Sequence, residues 1–246
     1  MKKTFGIAAS LFALIVFLYP ILAKADILVT KKKHTDEVVM MGQVQPAKDE
    51  QGILWMTNDK MREDTGDTST LARLDLNKIY IINNKDKTYS EIDLPVDIEK
   101  ILPAEAQQML QMMQVTATVK DTGETQKIKE WNCNKYLGEI SISMMGMSMP
   151  MTMELWTSKD LGIDMGIYKK FRDESLLLSP VFKSMIDEFQ KIDGYPVLTK
   201  TSVTMMGAET KSQEEVLSVE KKDPPAGTYD LPQGYTKVAF NPFPRR

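Results

Sequence analysis

Sulfur is the unusual chemical resource of this 246-residue chain, which carries 18 Met against one Cys and one His. His34, in Lys31-Lys32-Lys33-His34-Thr35-Asp36, is the only imidazole, so no histidine-based metal cluster can form around it. Cys133, in Trp131-Asn132-Cys133-Asn134-Lys135-Tyr136, has no resolving cysteine and reads as a small buried residue rather than a redox thiol. Pairing with a second chain stays open. There is no G-x-S-x-G elbow, H-E-x-x-H, P-loop or G-x-G-x-x-G, and the acidic residues show no paired-carboxylate spacing. The expectation is a non-enzymatic protein without a cofactor or metal center of the common kinds.

Six methionines fall within Met144-Met145-Gly146-Met147-Ser148-Met149-Pro150-Met151-Thr152-Met153. The period is two. Ile140, Ile142 and Met144 share one parity and Met145, Met147 and Met149 the other, which in a continuous strand requires a bulge at Met144/Met145. Pro150 marks an edge, a bend or a turn. Beyond it Met151, Met153 and Leu155 point one way while Thr152 and Glu154 point the other, and Trp156 is out of parity with the apolar set. The candidate ligand-binding face is therefore Met145, Met147, Met149, Met151, Met153 and Leu155. Met205 and Met206 extend it, with one of the pair facing inward in a regular strand.

Three uses of such a face compete. Methionines can fill an ordinary core, or line a cavity or groove for a lipid, an acyl chain or an apolar protein segment, since unbranched thioethers re-pack around varied shapes. They can also ligate Cu(I), which selects thioethers. Against copper, alternate residues of one strand stand about 7 Å apart, and no histidine tract accompanies them.

Helical spacing supplies a cover for the face. Ala106, Met109, Leu110 and Met113 fall at i, i+3, i+4 and i+7, and Phe182, Met185, Ile186 and Phe189 repeat the spacing. Met109, Met113, Phe182, Met185 and Phe189 are the candidate cover residues. Ser179 and Pro180 suit the cap and first position of the second helix, with Gly194 beyond its end. A shorter helical turn is expected around 166–174.

Elsewhere the pattern is of short strands between turn signals. They are expected at 27–41, 52–58, 70–76, 78–83, 87–94, 114–120, 124–131, 196–206, 212–221 and 235–240. Leu74/Leu76 alternate with Arg73/Asp75, Asn83-Asn84-Lys85-Asp86 suits a hairpin, and Asp121-Thr122-Gly123 suits another. Helices interrupting a many-stranded antiparallel sheet make the class α+β.

Lys2 and Lys3 precede an apolar run, and Ala23-Lys24-Ala25 offers a small-x-small cleavage site, so residues 1–25 read as a cleaved signal peptide. Residues 26–246 read as one domain, soluble in the periplasm, with no cysteine at the cut to carry a lipid. Losing Lys2, Lys3 and Lys24 from 31 basic residues leaves 28 against 34 acidic ones, which argues against nucleic acid as a partner.

Several segments together resemble a family of exported bacterial domains of unknown function. They are Gly42-Gln43-Val44-Gln45-Pro46-Ala47-Lys48, the strand pair from Trp55 to Asp64, Lys87-Thr88-Tyr89-Ser90-Glu91, Cys133-Asn134-Lys135-Tyr136, Glu154-Leu155-Trp156-Thr157-Ser158 and Gly194-Tyr195-Pro196-Val197. That family in turn resembles the LolA/LolB-like lipoprotein carriers. The resemblance implies a curved antiparallel β half-barrel with helices across its concave face, and a carrier or chaperone for a lipid, acyl chain or lipoprotein, transiently near a membrane. The alternative is an envelope protein-interaction or sensory module without a small ligand.

Overall fold

A computed structural model describes residues 25–40, 42–176 and 182–240. The expected signal peptide, except Ala25, falls outside them, as do Ser179 and Pro180.

The chain begins with β1 (Asp26–Thr35), followed by the small hairpin β2 (Val38–Met40) and β3 (Gln43–Gln45). A meander follows of β4 (Lys48–Met56), β5 (Lys60–Thr65), β6 (Thr68–Arg73), β7 (Lys78–Asn83) and β8 (Thr88–Asp93). The short helices α1 (Ile98–Ile101) and α2 (Ala104–Met112) lead to a second meander. This consists of β9 (Gln114–Ile128), β10 (Trp131–Met144) and β11 (Met147–Ser158), then α3 (Met165–Leu176) and α4 (Lys183–Phe189), then β12 (Tyr195–Met205) and β13 (Ala208–Lys222). A last short strand, β14 (Thr236–Lys237), lies parallel to β8.

Twelve strands form one sheet in the order β14-β8-β7-β6-β5-β4-β1-β13-β12-β11-β10-β9. The first strand is in the middle. β1 pairs antiparallel with β4 on one side and β13 on the other, and so joins the two meanders.

The fold is α+β, but the curved half-barrel expected from the carrier resemblance is not formed: the sheet is neither closed nor strongly curled. Strong curvature needs bulges or glycine kinks repeated from strand to strand. Here register breaks fall at Thr30/Lys31, Asn134/Tyr136 and Trp156/Thr157, whereas the ladders from β4 to β8 pair residue for residue. Half the sheet has nothing to bend it.

The main core gathers Val29 of β1, Leu54 and Met56 of β4, Trp131 and Cys133 of β10, Tyr195 and Val197 of β12, Val216 of β13, and Phe171 of α3. Cys133 is a buried free thiol whose pKa is pushed up by burial, which favors the protonated form. Near the center of β1, buried Lys31 meets Glu63 at 2.6 Å and Glu214 at 3.3 Å. Burial alone would lower its pKa, but Tyr195, Glu63 and Glu214 together hold it above the ordinary lysine range. The two carboxylates favor the ammonium form. Gly194, at φ +94°, packs against the Ser158 backbone so closely that an added Cβ would sit 2.9 Å from its carbonyl carbon.

Several local expectations are corrected. Leu74–Leu76 is a 3-10 turn rather than the end of a strand, because Arg73 reaches forward to Asp75 at 2.8 and 2.7 Å and Asn77 turns left-handed at φ 52°. Asp121-Thr122-Gly123 is an irregularity inside one long strand, β9, where Thr122 Oγ1 donates to the Lys135 carbonyl at 3.0 Å. The reversal comes instead at Lys129-Glu130. The run 27–41 is broken after Thr35, and Lys60–Thr65, unmarked by turn spacing, is the second strand of the pair read over Trp55 to Asp64.

Candidate functional site

The methionine segment is a hairpin, not a bulged strand. Met145 and Gly146 both take positive φ, 52° and 79°, the backbone of a two-residue type I′ turn, and Met144 pairs with Met147 across it. The phase slip in the sequence is the turn itself. An identical device recurs between β12 and β13, where Met206 and Gly207 have φ 52° and 80° and Met205 pairs with Ala208.

The two turns sit at the same end of the sheet. β11 and β12 are neighbors, and their ladder starts at Met151↔Val203, where Pro150, lacking an N–H, ends it. Two residues further toward the turns stand Met149 on β11 and Met205 on β12, on the face shared by Met151 and Val203. β9 enters at this end too, with Gln114 opposite Ser143, so Met112 and Met113 at the close of α2 arrive beside the first hairpin. The result is a methionine-rich end whose side chains meet solvent: Met145 is 75%, Met206 66%, Met147 57%, Met112 49% and Met205 39% exposed.

The candidate residues divide along the strand. Leu155 is buried in a cluster with Tyr136 and Ile192, against which Met153, Phe189 and Val119 pack. At this level the face is filled core. Met151 and Met149 are half-buried, cross-strand from Ile140 and Ile142, and Met147 and Met145 emerge at the tip. Of the expected cover, Phe189 lies over Leu155, while Phe182 and Met185 are half-buried at the start of and within α4. Met109 and Met113 are half-buried near the β9 entrance.

α4 is fastened to the sheet edge. Ser184 Oγ donates to the Val115 carbonyl at 2.9 Å, and the Val119 N–H donates to Glu188 Oε2 at 2.7 Å. Lys191 pairs with Glu188 and, with the Val119 N–H, holds its carboxyl below the usual glutamate range.

The opposite face is polar toward the hairpin tips and carries buried Trp156 of the main core further in. Trp156 donates through Nε1 to Glu154 at 3.0 Å, with the Lys135 ammonium 5.4 Å from its ring. A groove of about 600 Å³ crosses this side, with His34, Leu137, Glu154, Lys200, Lys211 and Gln213 among its lining residues. Lys200 and then Trp156 hold the Glu154 carboxyl below the usual range. His34 Nδ1 lies 3.0 Å from Asp49 Oδ1. Among the described residues no group of three or more His, Cys, Asp and Glu could hold a metal ion.

Met112 and Met144 were not among the candidate residues. The available signal was the repeated Met-Met-Gly, since glycine at the second position of a two-residue turn marks a hairpin. Among the described residues no helix is long and apolar enough to cross a membrane. No curated protein matches the chain, and with an uncurled sheet the likeness to LolA/LolB-like carriers is withdrawn. Residues 38–235 match a family described as a domain of unknown function (DUF4412), and the chain belongs to that family.

Proposed function

We infer that this is a non-enzymatic binding protein of the periplasm that engages a lipophilic ligand, an acyl chain or the apolar part of a larger molecule, through its methionine-rich end. The observation that carries this reading is the exposure of Met145, Met147, Met205 and Met206 on adjacent hairpins. Soluble proteins seldom leave apolar side chains grouped at a protruding end without a partner for them. The deeper part of the face, around Leu155 and Phe189, is packed, so contact belongs to the tips rather than to a space beneath α4.

Burying four methionine side chains supplies roughly 2 kcal/mol each before ordering costs, enough for reversible capture. Unbranched side chains also re-pack at little cost around acyl chains of different length. The test is organic extraction of protein purified from its native compartment, with mass spectrometry of the extract. A stoichiometric lipophilic molecule that disappears in Met145→Glu plus Met206→Glu is the expected result. Protein free of such a molecule in both forms, yet retaining an envelope protein in pull-down through the same end, would make the surface a protein contact instead.

A further inference from the structure

We propose that the methionine-rich end is also a Cu(I) site, with thioether ligands from Met144, Met147, Met149 and Met205. In a single strand the methionines of one face would be spaced too widely to share an ion. The hairpin removes that objection. Met144 and Met147 are direct cross-strand partners on one face, which brings their Cβ atoms to about 5 Å. Met149 follows Met147 on the same face, and Met205 stands at the matching level of the next strand, each two residues beyond the Met151↔Val203 pair. Four thioethers therefore occupy neighboring positions of one small surface.

Three observations favor metal over apolar packing alone. Met147 and Met205 are exposed to solvent and Met144 and Met149 only half-buried, so neither full burial nor strand preference calls for methionine at these strand ends. The ladder between the two hairpins ends at Pro150, so the tips are not bonded to each other there and can close on an ion. Thioether sulfur selects Cu(I) over the hard cations and needs no deprotonation to bind. The one thiol, Cys133, does not compete, because it is buried far down β10, where its protonated form is favored. Coordination is the whole event, with no change in oxidation state.

This site stands apart from the lipophilic contact, since leucine would serve the contact and cannot serve the metal. The experiment titrates the protein anaerobically with Cu(I) against a chromogenic Cu(I) chelator, comparing wild type with Met147→Leu plus Met149→Leu. Leucine conserves apolar volume, and circular dichroism melting verifies the fold. Wild type should withdraw one equivalent of copper from the chelator, and the variant should lose more than about tenfold in affinity. In parallel, Ag(I) should shift the methyl resonances of Met144, Met147, Met149 and Met205 and leave those of buried Met56 and Met61 in place. Chelator keeping all the copper, a folded variant that binds as wild type does, or shifts confined to other methionines would overturn the proposal. Retention of the lipophilic ligand by the leucine variant would show that the two uses of the end are separate.

Discussion

Met145 and Met206 hold the same costly backbone conformation at φ 52°, where a side chain other than Asn, Asp or Gly is disfavored. Neither position is buried, so packing does not offset the cost. Replacing each with asparagine should raise stability by about 0.5–1 kcal/mol per site, read as a shift in the urea midpoint at constant m-value. A protein that gains stability while losing lipophilic ligand would show that these methionines are kept for contact. An unchanged or lowered midpoint would mean that the turns do not carry the strain assigned to them. At this scale the sequence revealed residue types and the two-residue period of the methionine run. It did not show which methionines would be exposed, because exposure depends on which strands end where.

Among the elements, α4 is positioned by two side chains acting on the β9 edge, Ser184 and Glu188. Glu188 has a depressed pKa, so its stabilizing contribution is present above the ordinary glutamate value of 4.5 and is lost as pH falls through the lower folded value. Amide exchange at Val119 should stay protected at pH 4.5 and speed up in more acidic solution. Glu188→Gln keeps an acceptor for that N–H and should remove the pH dependence; a persisting acid transition would assign it to another carboxylate. The helical stripe over Phe182–Phe189 was readable because 3.6-residue periodicity survives in eight residues. The Met144/Met145 reversal was not, since a phase slip has the same signature whether the strand bulges or turns back. The glycine after it was the discriminating residue, and it pointed to the turn. Leu74–Leu76 failed for a related reason: alternation over three residues fits a strand, while the Arg73–Asp75 bridge that overrides it is a local side-chain contact that hydrophobic alternation does not register.

For the molecule as a whole, α+β class and the abundance of antiparallel strands followed from turn spacing, whereas curvature could not. Curling depends on where bulges recur across neighboring strands, and a resemblance in short motifs carries no such information. The uncurled sheet holds together at β1, whose Lys31 ties Glu63 of the first meander to Glu214 of the second. Lys31→Ala should cost about 2 kcal/mol, less than a fully buried ion pair, because Glu63 and Glu214 keep 34% and 41% of their side-chain surface in water. Chemical denaturation measures this, and a loss below about 0.5 kcal/mol would remove the lysine from that structural role. The position of β1 also sets an order of assembly. Asp26 faces Lys222 in the finished sheet, so the earliest-made strand cannot gain its second neighbor until almost the whole chain has emerged. Local meanders can form sooner, but joining them requires a contact across nearly the full sequence, the kind that slows folding. A chain of this design therefore leaves one edge of β1 unpaired until β13 is complete, and that edge is where an arrested or truncated chain would expose its backbone.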